Sequence, residues 1–446
     1  MNLTVDRKKQ YQSFEGFGAS GAWWAQDIGA MPELCGEIAR LLYDRESGIG
    51  LDIYRYNLGA GSMESGAGSY GNGNRRTHSI ETAGGGCDPS RDEAAVNMMR
   101  KAAEYGAREI VVFSNSPPER LTKNGKAHLD EKNAFRTNLA KENYGAFSKY
   151  LLDAAELFLS EGLPVKYISP VNEPIWKWTG GQEGCHYSPM QARRLLRRVA
   201  EDLEARPALC GKVKISGMES GDLRWFNKSY TRALLDDAVI RRNVDAVDYH
   251  SYFLPLPAPP FMNDRIAFMK RFRRFMDRHY PDVPLKMSEW CHMQGGRDYG
   301  MDSALVTARV IIEDLTVMNV TAWSHWIACS NYDYCDGLIY FDPEDGTRFD
   351  LTKRYFVTGN FSKYIPCGAK RVEVKTGDKE VLSVGFAAGR ETVVILANES
   401  ERPKFFFAPA DMALYTTGKE SDLAESKAEK GEAVKLPPRS VMTCKY

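Results

Sequence analysis

Two glutamates in the chain stand in the same setting. Val165 to Trp178 reads VKYISPVNEPIWKW, a short apolar strand at Val165–Ile168 running into a proline-bounded corner. Pro170 and Pro174 cannot donate to a sheet ladder, so the strand is expected to stop near Ser169 and present Glu173 from its end. Trp176 and Trp178 follow at once. Val283 to Cys291, VPLKMSEWC, repeats the design with Glu289 before Trp290. A carboxylate beside an aromatic face suits a sugar ring, and two carboxyls on one cleft can divide the work. One is held protonated as an acid and the other stays ionised as a nucleophile. A lone glutamate at a strand end is more often an ion-pair partner or a helix cap. That reading weakens when two share a strand-terminal, tryptophan-flanked context.

The elements that must position these residues alternate. Strands are expected at Phe14–Ser20, Gly50–Gly59, Glu109–Ser114, Val165–Ile168, Lys212–Met218, Val244–Tyr252, Val283–Cys291 and Val320–Cys329. Helical patterns lie between them at Pro32–Tyr43, Arg91–Tyr105, Asn143–Ser160, from Ser188-Pro189, near Thr231–Val239, Asp264–His279 and Ser303–Met318. Gly59 to Asn74 is a glycine- and serine-rich loop. Eight strands in strict alternation with helices imply a parallel sheet and, at this length, a (β/α)8 TIM barrel in the α/β class. Strand ends at the C-terminal face are then the place for chemistry, with Glu173 on strand four and Glu289 on strand seven.

After about Tyr355 the pattern changes to short apolar runs split by turn residues, among them Thr392-Val-Val-Ile-Leu and Lys404-Phe-Phe-Phe. This reads as an appended antiparallel β-sandwich that the N-terminal strand joins. The expected division is a catalytic barrel at 13–354 and a side domain of 1–12 plus 355–446. The charged stretch Lys419–Lys430 is expected to be a solvated hairpin loop.

Composition narrows the function. Lys+Arg and Asp+Glu are both 59 in 446 residues, and the resulting zero net charge argues against a nucleic-acid binder. No window approaches the roughly 18 apolar residues of a membrane span. The segment from Met1 to Lys9 is polar and lacks the apolar core of a secretion signal, and the nine cysteines show no C-x-x-C, so the expected setting is cytoplasmic with reduced thiols. Seven histidines, none as His-x-His, give a metal-dependent hydrolase little to draw on, and no metal or cofactor is expected. Gly16 and Gly18 lack the spacing and the Lys-Ser/Thr pair of a phosphate loop.

Six segments in order carry a more specific signal: Phe14-Glu-Gly-Phe-Gly, Tyr54-Arg-Tyr-Asn-Leu-Gly, Ser114-Asn-Ser-Pro-Pro, Ser169-Pro-Val-Asn-Glu-Pro, Ser288-Glu-Trp and Tyr355-Phe-Val-Thr-Gly-Asn-Phe-Ser-Lys-Tyr-Ile. Together they resemble glycoside hydrolase family 30 across nearly the whole chain. The resemblance implies a retaining β-glycosidase with Glu173 as acid/base and Glu289 as nucleophile. It places Asn172 on the sugar 2-hydroxyl, Arg55 beside the nucleophile, and His250 and Tyr252 near Glu289. Trp326 becomes a stacking platform, with Trp23 and Trp176 also lining the substrate. The competing, less favoured readings are a core ion pair for Arg55 and a satisfied buried imidazole for His250, and for Trp326 plain packing.

Two departures bear on substrate. Where exo-acting glucosylceramidase-like members carry an Asp after the first strand, this chain has Ala22-Trp23-Trp24, and where many have a Trp after Ser-Pro-Pro it has Glu119-Arg120. The run Gly-Phe-Gly-Ala-Ser-Gly-Ala-Trp-Trp-Ala is most similar to the β-1,6-galactanase branch. The expected substrate is a β-1,6-linked galactose-containing oligosaccharide. The alternatives are exo-acting β-glucosidase, β-xylosidase or β-fucosidase activity and, in a different class, a non-catalytic sugar-binding pseudoenzyme.

Overall fold

A computed structural model describes residues 1–65, 75–133, 136–224, 227–253 and 259–446. The tip of the expected glycine-rich loop, 66–74, lies outside the described residues. The strands of the first part are β1 (Thr4–Ser13), β2 (Gly16–Ser20), β3 (Ile53–Asn57), β4 (Glu109–Phe113), β5 (Val165–Ser169), β6 (Lys214–Ile215), β7 (Gly217–Ser220), β8 (Val247–His250), β9 (Leu285–Trp290) and β10 (Ala322–His325). Nine of them form one sheet in the order β6-β5-β4-β3-β2-β10-β9-β8-β7. β6 and β7 are one strand broken at Ser216, so the two ends of this order are neighbours in sequence and the eight expected positions close a barrel. Every residue of β2, β3 and β4 is buried, as strands covered on both faces require.

The helices between the strands are α1 (Trp24–Ile28), α2 (Pro32–Tyr43), α3 (Glu93–Glu104), α4 (Tyr144–Ser160), α5 (Pro189–Glu204), α6 (Asn227–Leu235), α7 (Ala238–Arg242), α8 (Arg265–His279) and α9 (Met301–Glu313). Their ends follow local chemistry. At α5 the Ser188 hydroxyl accepts from the Gln191 amide while the Gln191 side chain accepts from the Ser188 amide, a full capping box with Pro189 at the first helical position. Asp264 caps α8 by accepting from the Ala267 amide. The single helix expected near Thr231–Val239 is instead two, because Asp237 caps a new start at α7.

Beyond β10 come β11 (Cys329–Ser330), β12 (Ile339–Asp342) and β13 (Asp345–Leu351), a small three-stranded sheet that periodicity did not indicate. The segment Tyr355–Ser362, which opens the last motif, belongs to α10 (Lys353–Ser362). The remaining strands are β14 (Lys370–Lys375), β15 (Val381–Ala388), β16 (Glu391–Asn398), β17 (Lys404–Phe407), β18 (Met412–Gly418), β19 (Ser421–Ala428), β20 (Ala433–Leu436) and β21 (Ser440–Lys445). Seven strands run β1-β14-β15-β16-β21-β18-β19, and β17 pairs with β20 in a separate ribbon. Leu396, Phe406, Leu414, Leu436 and Met442 close the apolar core between ribbon and sheet. β1 pairs antiparallel with β14, so the N-terminal strand does join this sandwich.

Lys419–Lys430 is largely a strand, since β19 pairs antiparallel with β18 from Ser421 to Ala428. It lies at the edge of the sheet, where charged side chains stay in water and discourage further pairing, so its composition resembles a loop.

By compactness the chain divides into two units, one of residues 20–37 and 53–289 and one of residues 1–19, 38–52 and 290–446. All nine cysteines are free thiols. Among the described residues no helix is long and apolar enough to cross a membrane.

Candidate active site

Five charged side chains from five strands of the first unit converge. Arg55 is at the centre of β3, Glu219 in β7, His250 at the end of β8, Glu289 in β9, and Glu173 four residues beyond β5. Register brings His250 beside Glu289 on the paired strands β8 and β9. Glu173 adopts a positive φ of 41°, unusual for a residue with a Cβ, and its amide donates to the Glu219 carbonyl at 2.9 Å. The turn expected from Pro170 and Pro174 is therefore held against the β7 backbone.

The side chains form a connected network. Arg55 Nη1 donates to Glu289 Oε2 at 3.0 Å, and Nη2 donates to Glu219 Oε2. The Tyr252 hydroxyl donates to Glu289 Oε1 at 3.2 Å. His250 Nδ1 lies 2.8 Å from Glu173 Oε1 and 3.5 Å from Glu289 Oε1, and its Nε2 lies 3.1 Å from Glu219 Oε2. His250 and Glu219 are fully buried, and Arg55 nearly so.

Burial opposes charge on each group, so the partners decide which groups stay ionised. For Glu219, burial pushes the pKa up, but the Arg55 guanidinium and the His250 hydrogen bond overcome it and hold it down to about 2. For His250, burial works against the cation, but the Glu289 charge and the hydrogen bonds to Glu173 and Glu219 raise its pKa to about 10. For Glu289, burial raises the pKa while His250 and Arg55 pull it down, leaving a net upward shift. Beneath this layer Asp248 is buried and pushed up to about 7 by desolvation, with Lys286 acting the other way.

One oxygen each of Glu173 and Glu289 and one nitrogen of His250 lie within 4.8 Å of one another, close enough to surround a metal ion. A ring with both nitrogens on carboxylates is a double donor, and an imidazolium has no lone pair for a metal. The donor set therefore does not fit a resident cation.

A chain of amides runs alongside. Asn172 Nδ2 donates to Asn115 Oδ1 at 2.9 Å, and Asn115 Nδ2 donates to Asn57 Oδ1 at 3.2 Å. This fixes the Asn172 amide and leaves its buried Oδ1 without a partner among the described residues. The expected aromatic residues separate. Trp176 is 36% exposed, whereas Trp23 is buried at 5% and precedes α1 as its N-cap residue, with a positive φ of 65°. Trp178 donates its indole N–H to the Glu173 carbonyl at 3.0 Å, supporting the turn rather than offering a free face. Trp326 follows β10 in the second unit, half-buried, with its amide on the Trp290 carbonyl and a cis peptide to Ile327. Of the two substituted positions, Arg120 pairs with Glu81 and Glu119 accepts from Ser65.

Sequence reasoning missed Glu219. The segment Gly217-Met-Glu-Ser-Gly carried the strand-end rule that found the other two glutamates, but no tryptophan or proline marks it. Gly221 was missed too. A Cβ there would fall 2.5 Å from Trp176 Nε1 and 2.6 Å from Glu173 Oε1, so the absent side chain makes room for both. Gly221→Ala is expected to displace the Glu173 carboxyl and cut turnover of a β-glycoside by about 10²-fold with little change in melting temperature. A variant with wild-type kcat would show that the carboxyl can yield without loss.

A barrel that gathers paired carboxyls at its strand ends, next to tryptophan, is the arrangement of a glycoside hydrolase. The chain belongs to O-glycosyl hydrolase family 30, whose sequence model matches residues 1–340. It is 25% identical over 425 residues to an endo-β-1,6-galactanase of Hypocrea rufa, covering 88% of this chain and 80% of that protein. Among solved structures it superposes on a conserved exported protein from Bacteroides fragilis with a TM-score of 0.88, at 23% identity and full coverage of both chains. It also superposes on the catalytic domain of the GH30 xylanase C from Talaromyces cellulolyticus with a TM-score of 0.75, at 17% identity, covering 100% of this chain and 99% of that one.

Proposed function

We propose that the protein is a retaining β-glycosidase acting on β-1,6-linked galactose-containing oligosaccharides. The observation that carries the retaining mechanism is the separation of the two carboxyls, with an oxygen of Glu173 and an oxygen of Glu289 within 4.8 Å. Double displacement needs carboxyl groups about 5–5.5 Å apart, whereas inversion needs about 6.5–9.5 Å to admit a water between them. The substrate rests on the likeness to the Hypocrea rufa galactanase.

In this reading Glu289 attacks the anomeric carbon while Glu173 gives its proton to the departing glycosidic oxygen. The Glu289 ester is then hydrolysed by a water that loses its proton to Glu173. Arg55 and Tyr252 aim and hold the Glu289 carboxylate. The unpartnered Oδ1 of Asn172 accepts from the 2-hydroxyl, a bond that strengthens as charge develops on the ring. Trp176, the more exposed of the two tryptophans beside Glu173, offers a face to the sugar on the leaving side.

The test is hydrolysis of β-1,6-galacto-oligosaccharides, with the anomer of the first product followed by proton NMR. Release of the β-anomer before mutarotation is expected. The α-anomer would overturn retention, and cleavage confined to β-glucosides, β-xylosides or β-fucosides would overturn the substrate. The pH profile follows from Glu289. A carboxyl whose pKa is raised in the folded protein is ionised only above that raised value, so kcat/KM is expected to fall as pH drops through a limb above the ordinary glutamate value of about 4.3. An acid limb at or below that value would contradict the assignment.

A further inference from the structure

We propose that His250 is a positioning residue, a permanent imidazolium anchored through Nε2 on Glu219, whose Nδ1–H is aimed between Glu173 and Glu289 and stabilises whichever of them is ionised. The proposal rests on the double-displacement reading and goes beyond a role in binding sugar. Its ground is geometric. Both ring nitrogens face carboxylates, at 2.8 Å and 3.1 Å, so the ring reaches neither a substrate nor a metal without breaking one of these contacts. Nδ1 also lies 3.5 Å from Glu289, the other carboxyl of the pair. The ring is fully buried, stacked edge-on to Tyr252 at 6.0 Å between centroids.

Charge balance explains why such a cation belongs there. In the double-displacement reading Arg55 and His250 are positive before reaction, Glu219 and Glu289 negative, and Glu173 carries the proton it will give to the leaving oxygen, so these five groups sum to zero. Glu173 Oε1 can accept from Nδ1 while its other oxygen carries the proton. Once the sugar is bound to Glu289 as an ester, that charge is gone and Glu173 has become a carboxylate. The sum is again zero, but the negative charge has moved from one neighbour of Nδ1 to the other. A fixed donor between them serves both stages without a proton of its own leaving the ring, and a buried site gains most from such preorganisation. Glu219, held by Arg55 and His250, keeps the imidazolium charged throughout.

The groups facing His250 are Glu173, Glu219, Glu289 and Tyr252, with Arg55 bonded to two of those carboxylates and Asp248 below on its own strand. Their balance keeps the ring protonated up to about pH 10. At about pH 9 the protein selectively labelled with ¹⁵N-histidine is therefore expected to show one imidazole, of its seven, with both nitrogens protonated. His78, paired with Glu64 at the surface, is the other histidine whose pKa is raised. The signal should persist in His78→Asn and vanish in His250→Gln.

Trapping with a 2-deoxy-2-fluoro-β-galactosyl donor should shift the Nδ1 proton resonance and leave both nitrogens protonated. In His250→Gln the acid limb of kcat/KM should rise by about one pH unit, because the cation that favours ionised Glu289 is gone. A neutral ring at about pH 9, a Nδ1 proton unmoved by trapping, or an unmoved acid limb in folded His250→Gln each overturns the proposal. If His250→Gln does not fold, the ring measurement on His78→Asn decides. The labelling result needs no substrate, so failure of the glycosidase reading and failure of this one are told apart.

Discussion

Glu289→Gln is expected to lower kcat for β-1,6-galacto-oligosaccharides by about 10⁴-fold or more, equivalent to about 5.5 kcal/mol of lost transition-state stabilisation. Glutamine keeps the shape of the side chain; its one carbonyl oxygen can accept from Arg55 while its amide N–H donates to the Tyr252 oxygen, so the pocket should stay assembled. What disappears is the anionic oxygen that bonds to the anomeric carbon, and an amide oxygen cannot replace it. The substitution also removes one negative charge beside two cations, which favours the remaining carboxylate Glu219 and should not unfold the protein. The matching experiment uses the 2-deoxy-2-fluoro donor. Wild type should gain the mass of one glycosyl group on the peptide containing Glu289, and the variant should gain none. A variant within tenfold of wild type, still folded, would remove Glu289 from the chemistry and take the two-carboxyl mechanism with it.

Glu173→Ala is expected to give a loss that depends on the leaving group. With an ordinary sugar as leaving group the loss should be about 10²–10⁴-fold, the usual contribution of a positioned acid. A 2,4-dinitrophenolate departs without a proton, so glycosylation by a dinitrophenyl β-glycoside should be slowed little. Hydrolysis of the trapped ester then lacks its base. Added azide should restore turnover and yield the β-glycosyl azide, because the small anion enters the space vacated by the carboxyl and attacks the face opposite Glu289. Equal losses for both leaving groups would indicate that Glu173 holds the site together, consistent with its positive φ and its backbone bond to Glu219, rather than moving a proton.

The parts of this protein that were legible in the sequence are those set by local chemistry. α2 falls at Pro32–Tyr43 as its periodicity indicates, and α5 starts where Ser188 and Pro189 mark it. Glu173 stood out because prolines stop a strand beside it and tryptophans follow within five residues. β11 and β12 escaped because mostly buried runs of two and four residues are too short to show a period, and β13 and β19 because their mostly polar side chains carry no apolar alternation. Glu219 escaped for a different reason. Its partners Arg55 and His250 are 164 and 31 residues away in the chain, and no local pattern encodes a contact across a barrel.

The sequence by itself determined the alternation of strands and helices, the strand ends at which Glu173 and Glu289 sit, and the family they indicate, because period, breakers and caps act over a few residues. Tertiary structure alone decided the charge on each group. Arg55, His250 and Tyr252 could be named from the chain, but only closure of the barrel set one guanidinium between Glu219 and Glu289 and one imidazole between three carboxyls. Ionisation in a buried cluster depends on distances of about 3 Å between groups far apart in the chain, and the fold sets those distances.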